Sequence, residues 1–167
     1  MQKSGRSKRS IERSTSVAAW ATIGAIAGVL FTLDLFLKSH AASAWAKAPW
    51  LGNWLEFSYS ENSGIAFGLP LHGWPLLVIN IALILALIAF ALHSLDFRAA
   101  SAKLATGLVL GGALGNLYDR LTLGVVRDFL RIGIWPMFNL ADTAIVVGVA
   151  ILLFHLYTAS HAGKKSR

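Results

Sequence analysis

Four apolar stretches organise the chain, at roughly 16–37, 74–92, 99–118 and 138–157. Each is close to the ~20 residues a helix needs to cross the hydrocarbon core of a bilayer. Lipid offers no partner to an open backbone group, so the pattern predicts four spanning helices. Two mixed segments, 39–73 and 119–137, separate the first stretch from the second and the third from the fourth. In the longer one, Leu55, Phe57 and Tyr59 alternate with Glu56, Ser58 and Ser60, the period of a half-buried strand. VVRDFL, 125–130, predicts a second strand, and ENSGIAFGLP, 61–70, reads as a turn or short helix. Gly24 and Gly28 stand four apart, as do Gly107, Gly111 and Gly115, a spacing that predicts close helix packing. Residues 1–15 are basic and polar and read as a disordered tail.

Composition agrees with a membrane protein. The 167 residues are 56% hydrophobic and only 14% charged, against the ~25% charge of a soluble domain. The net charge is +7. Its basic residues gather beside the apolar stretches: Lys3, Arg6, Lys8, Arg9 and Arg13 before the first, Arg98 and Lys103 around the second turn-back, Lys164, Lys165 and Arg167 after the last. That distribution points to anionic lipid rather than nucleic acid, and it places both termini in the cytoplasm. The segments 39–73 and 119–137 then face outward, with Trp45, Trp50, Trp54 and Trp74 at the membrane interface. Arg120, Arg127 and Arg131 lie on the outer side, against the rule, and so are expected to have local partners. The expected organisation is a single membrane domain, 16–160, between basic tails 1–15 and 161–167. The amino end imitates a secretory signal, ending in Ala42-Ser43-Ala44. Its uncharged run, 14–33, exceeds the ~7–15 residues of a signal core, so a retained helix is expected.

Cysteine is absent, which excludes disulfides and thiol catalysis. The five histidines are scattered without a metal-ligand spacing, and no phosphate-binding glycine loop is present. The acids are more informative. Of the eight, Asp34, Asp119 and Asp142 fall at the outward ends of the stretches and Asp128 in the second outward segment, all near the outer face. Ionisable groups beside a membrane span are costly and mark function. Asp34 with Lys38, four residues apart, reads as a structural pair. Asp128 and Asp142 have no base at helical spacing. Two carboxylates brought together share a proton, so one serves as acid and the other as base. That pair suits peptide hydrolysis. Ser39 or Ser63 with Lys38 is the other hydrolase option, and a proton-pathway subunit or a non-catalytic assembly protein are the rival classes.

The motifs LDLFLK, ENSGIAFG, GGALGNLYDR, VRDFL and FNLADTAI, in that order, resemble the bacterial lipoprotein signal peptidases, or signal peptidase II, from about residue 17 to 157. The resemblance implies a four-helix integral membrane bundle with a small periplasmic β-cradle and a short periplasmic helix. It implies an inner-membrane aspartyl endopeptidase that cuts prolipoproteins on the amino side of a diacylglyceryl-modified cysteine. Its partners are then those substrates and membrane lipids, and it works as a monomer without metal or cofactor. The dyad falls on Asp128 and Asp142. Asn62, Gly64, Asn116, Asp119, Arg120 and Asn139 match residues that hold substrate or support the dyad, and Asp34 and Lys38 match structural support. The chain departs from the family pattern at Leu35, Leu37 and Arg127, where a glutamine, a small hydroxyl residue and an apolar residue are usual.

Overall fold

The computed structural model describes residues 3–44, 48–49, 54–64 and 73–165. Four helices are present: α1 (Lys3–Ala44), α2 (Trp74–Ser94), α3 (Ala100–Leu123) and α4 (Leu140–Lys165). Three strands, β1 (Ala48–Pro49), β2 (Leu55–Asn62) and β3 (Val126–Ile132), form one antiparallel sheet in the order β1-β2-β3. The sheet sits at the end of the bundle where α1 and α3 finish and α2 and α4 begin. Trp45, Trp50 and most of the expected 61–70 turn or short helix lie outside the described residues.

Several expectations need correction. The basic segment is helical from Lys3, because no proline interrupts it and Lys, Arg and Glu are good helix formers. Among the described residues, three helices are long and apolar enough to cross a membrane: Val17–Ser43, Trp74–Ser94 and Leu140–Thr158. The third helix, α3, falls short of that apolarity. It is the central helix, packed by α1, α4 and α2, and its buried residues are largely Ala, Gly, Thr, Asn and Asp. Neighbouring helices, rather than lipid, cover that surface. The alternation in β2 also misleads. A bulge between Phe57 and Ser60 resets the register, and the buried residue is Ser58.

Glycine decides how closely the helices approach α3. An added Cβ at Gly107 would meet Ile26 at 2.7 Å, and at Gly111 it would meet the Ala27 carbonyl at 2.8 Å. At Gly112 it would meet the Ala141 carbonyl of α4 at 2.4 Å. The stripe on α3 is therefore a packing face, as its spacing predicts. Gly24 and Gly28 are different: nothing lies within 4 Å of either Cβ position. They border an open apolar groove with Trp20, Phe31, Leu114 and Leu117.

Polar groups lock the same helices together near the sheet. Lys38 is fully buried. Its Nζ lies 2.6 Å from Asp34 Oδ2, one turn back on α1, and 3.3 Å from Asp119 Oδ2 on α3. It donates to Asn116 Oδ1 at 2.9 Å. Asp34 in turn accepts from the Ala141 backbone N–H at the start of α4, at 2.9 Å. Gly115 makes room for this carboxylate, since a Cβ there would stand 2.6 Å from Asp34 Oδ2.

Thermal unfolding of three variants in detergent checks this packing. Gly112→Ala forces a methyl into the Ala141 carbonyl and should destabilise by about 1–3 kcal/mol. Gly24→Ala meets nothing and should leave stability unchanged or raise it by up to ~1 kcal/mol through helix propensity. Lys38→Met keeps the volume but leaves buried Asp34 without a cation and takes from Asp119 one of its two. It should cost about 3–5 kcal/mol, a far larger loss than an exposed ion pair would give.

Candidate active site

The chain ends α3 at Gly124, a left-handed residue with φ 76° whose N–H donates to the Arg120 carbonyl. Glycine takes this conformation without strain and turns the chain directly into β3. Along β3, alternate residues face opposite ways. Arg127 faces Asp119, while Asp128 is buried on the other side. The β2 register pairs Ser60 with Asp128, so Asn62, two residues further, lies on the same face. Its Nδ2 donates diagonally to Asp128 Oδ2 at 3.1 Å. Asn62 Oδ1 accepts from the Gly64 N–H at 3.0 Å, which orients the amide.

Asp142 is placed by a different device. Asn139 caps α4: its Oδ1 accepts from the Asp142 N–H at 2.9 Å, and Asp142 Oδ2 accepts from the Asn139 N–H at 3.2 Å. This reciprocal arrangement is a capping box, with Asp in the place usually held by Glu. The N-terminal end of the helix dipole favours the carboxylate there. The peptide Phe138 also pairs with Leu130 and Phe129 of β3, which brings the start of α4 against the strand.

Two amides then join the carboxylates. Asn139 Nδ2 donates to Asp128 Oδ1 at 2.7 Å and to Asn116 Oδ1 at 3.1 Å. Asn116 Nδ2 donates to Asp142 Oδ1 at 2.7 Å. Asn116 Oδ1 also accepts from Lys38, so the chain of bonds runs from the buried ion cluster to both acids. Asn62, Gly64, Asn116, Arg120, Asp128 and Asp142 share one cleft of about 370 Å³. Its apolar walls include Val126, Trp135, Met137, Phe138, Ile145 and Val146.

The carboxyl of Asp128 is pushed up to about 6, first by burial and then by the charge of Asp142. The amides of Asn62 and Asn139, and Lys38 beyond them, pull the other way without cancelling the rise. A proton therefore stays on Asp128 to a higher pH than on an ordinary aspartate. Arg120 lines the cleft within electrostatic range of Asp142 and Asp128, and no described residue bonds its guanidinium.

The residues singled out by sequence thus gather in one place: Asn62, Gly64, Asn116, Arg120, Asp128 and Asp142 at the cleft, and the buried Asn139, Asp34, Lys38 and Asp119 behind it. Two of the three outward arginines have partners, Arg127 with Asp119 and Arg131 with Glu56. The serine–lysine option does not assemble. Lys38 is enclosed by Asp34, Asp119 and Asn116, and Ser39 Oγ donates to the Phe36 carbonyl on the exposed side. Sequence reasoning missed the cleft walls and the role of Gly115. The spacing of Asn139 and Asp142 at the head of an apolar run did carry the capping signal.

Comparison with known proteins agrees with this geometry. Residues 26–158 match the family described as signal peptidase (SPase) II. The chain is 41% identical over 158 residues to the lipoprotein signal peptidase of Aquifex aeolicus, covering 87% of this chain and 91% of the relative. It is 43% identical over 119 residues to that of Moorella thermoacetica, covering 71% and 78%. A solved bacterial membrane enzyme superimposes with a TM-score of 0.75 at 26% identity, over 84% of this chain and 90% of the other. With three apolar helices, a small sheet and two carboxylates joined by amides in one cleft, the chain belongs to the signal peptidase II family of membrane proteases.

Proposed function

We propose that this chain is an aspartyl endopeptidase of the bacterial inner membrane. Its substrates are prolipoproteins whose cysteine carries a diacylglyceryl group, and it cuts on the amino side of that cysteine. The observation that carries the reading is the joining of Asp128 and Asp142 by Asn139 and Asn116 at the wall of one cleft. A proton-pathway subunit needs acids distributed along the membrane depth, whereas Asp34, Asp119, Asp128 and Asp142 form one cluster.

The polypeptide crosses the membrane four times in this reading, with α3 as the shielded fourth span and both termini cytoplasmic. Residues 16–160 act as one membrane domain, working as a monomer. Exposed Trp54, Trp74, Ile134 and Trp135 at the sheet end suit the outer interface, where aromatic side chains concentrate. The signal peptide enters laterally. α2 touches α3 but not α4, so the two leave a side of α3 open to an apolar helix. The peptide must unwind at the cleft, because a helix keeps its carbonyls in its own hydrogen bonds.

Chemistry follows from the two environments. Asp142, ionised at the head of α4, takes a proton from water. Asp128, protonated, donates to the scissile carbonyl and stabilises the oxyanion as the water attacks. The proton taken by Asp142 then passes to the leaving amine as the C–N bond breaks. Arg120, whose guanidinium no described residue bonds, and the amides of Asn62 and Asn116 hold the substrate backbone or a lipid ester. Asn62 and Gly64 border the site, and the rest of the turn, 65–67, lies outside the described residues. Asp34 and Lys38 hold the frame.

Cleavage of a diacylglyceryl prolipoprotein by purified protein in detergent tests the dyad. Asp128→Asn and Asp142→Asn should each lower kcat by at least about 10³-fold while remaining folded, since an amide can neither take a proton from water nor give one up as a carboxylic acid does. Survival of cleavage in either variant would falsify the assignment. The pH profile gives a second check. Asp128 holds its proton up to about 6. Above that value the pair loses the shared proton and with it the polarising acid, so kcat/KM should fall as pH rises through an apparent pKa at or above about 6. A kcat/KM that stays flat up to pH 9 contradicts Asp128 as the acid.

A further inference from the structure

We infer that Arg127 is a positioning residue, which sets Asp128 at its working orientation by clamping β3 to Asp119. The inference rests on the aspartyl-peptidase reading above and assigns a role to a residue outside the cleft.

Asp119 is fully buried at the last turns of α3, and Arg127 holds it at three points. The Arg127 backbone N–H donates to Asp119 Oδ2 at 3.0 Å. Its side chain folds back on the same carboxylate, with Nη2 2.6 Å and Nε 3.2 Å from Oδ1. A residue bound through both backbone and guanidinium cannot rotate about the strand axis. Asp128 is the next residue, so its direction is fixed by the same clamp.

Distances separate this role from that of Lys38. Lys38 Nζ lies 2.6 Å from Asp34 but 3.3 Å from Asp119, whereas Arg127 Nη2 lies 2.6 Å from Asp119. Asp119 is thus chiefly the partner of Arg127. The clamp also reaches the other acid. The Arg127 carbonyl accepts from Asn139 Nδ2 at 3.4 Å, and that same nitrogen donates to Asp128. A twist of β3 at residue 127 therefore disturbs both ends of the bond chain between the acids. Register does not prevent such a twist, because Arg127 pairs with Glu61 beside the β2 bulge, where the ladder is weakened. A misplacement of about 1 Å in a catalytic group costs up to ~10²-fold in rate.

The test uses full-length protein in detergent, with a diacylglyceryl prolipoprotein as substrate and thermal unfolding recorded for each variant. Arg127→Met should lower kcat by about tenfold or more while KM stays within about twofold, because the cleft walls and Arg120 are untouched. Arg127→Lys, which keeps the charge but not the bidentate fork, should recover part of kcat and serves as the variant least disturbing to the fold. In a double-mutant cycle, Arg127→Met combined with Asp119→Asn should lose less than the product of the single losses, since both break one contact. Wild-type kcat in Arg127→Met, a loss confined to KM, or losses that multiply with those of Asp119→Asn overturn the proposal. Asp128→Asn runs alongside: an inactive wild type, or an active Asp128→Asn, removes the peptidase reading as well. An active wild type, inactive Asp128→Asn and unimpaired Arg127→Met remove the positioning role alone.

Discussion

One buried ammonium holds the arrangement together. Lys38 Nζ binds Asp34 of its own helix and Asp119 and Asn116 of α3, and Asp34 extends the link to the first turn of α4. An ion buried this deeply costs several kcal/mol in lost hydration, which is recovered only when every partner is in place. The cluster therefore does more for specificity than for stability. A slip of α1 along α3 by one turn would keep the Lys38–Asp34 pair but would part Lys38 from Asp119 and Asn116, and Asp34 from the Ala141 N–H, in a low-dielectric interior. Gly115 belongs to the same constraint, because only a residue without Cβ lets Asp34 lie against α3.

From that anchor the geometry of the two cleft carboxylates follows by short steps. Asn116 takes the ammonium on its oxygen, so its nitrogen must point to Asp142. Asn139 gives its oxygen to the N-terminus of α4, so its nitrogen must point to Asp128 and Asn116. Each amide has its orientation decided by a charge or a helix end, and the two carboxylates are presented as a consequence. The loop frame contributes the remaining restraint through Gly124 and Arg127. Burial that raises Asp128 and a helix terminus that suits an ionised Asp142 then distinguish two chemically identical side chains.

Much of this was legible in the chain. The apolar lengths of α1, α2 and α4, the strands around Phe57 and Asp128, the ion pair of Asp34 and Lys38, and the glycine stripe of α3 are local patterns, and they stand in the structure. The failures share a cause: each depends on a neighbour distant in sequence. Gly24 and Gly28 have the packing spacing but face an open groove between α1 and α3, where no described residue reaches their Cβ positions. The low apolarity of α3 follows from its central position. The burial of Ser58 and the reach of Asn62 follow from a bulge whose extra residue shows only when β2 is set against β3. The partner of Arg127 depends on the turn at Gly124.

The central claim is that the cleft cuts a lipid-modified signal peptide at its cysteine. Mass spectrometry of the products, after incubation of purified protein with matched prolipoproteins bearing or lacking the diacylglyceryl group, tests it most directly. The account predicts a product from the lipidated substrate alone, beginning at the diacylglyceryl cysteine, and a released signal peptide ending at the residue before it. Cleavage at another bond, or equal cleavage of the unmodified precursor, would contradict it.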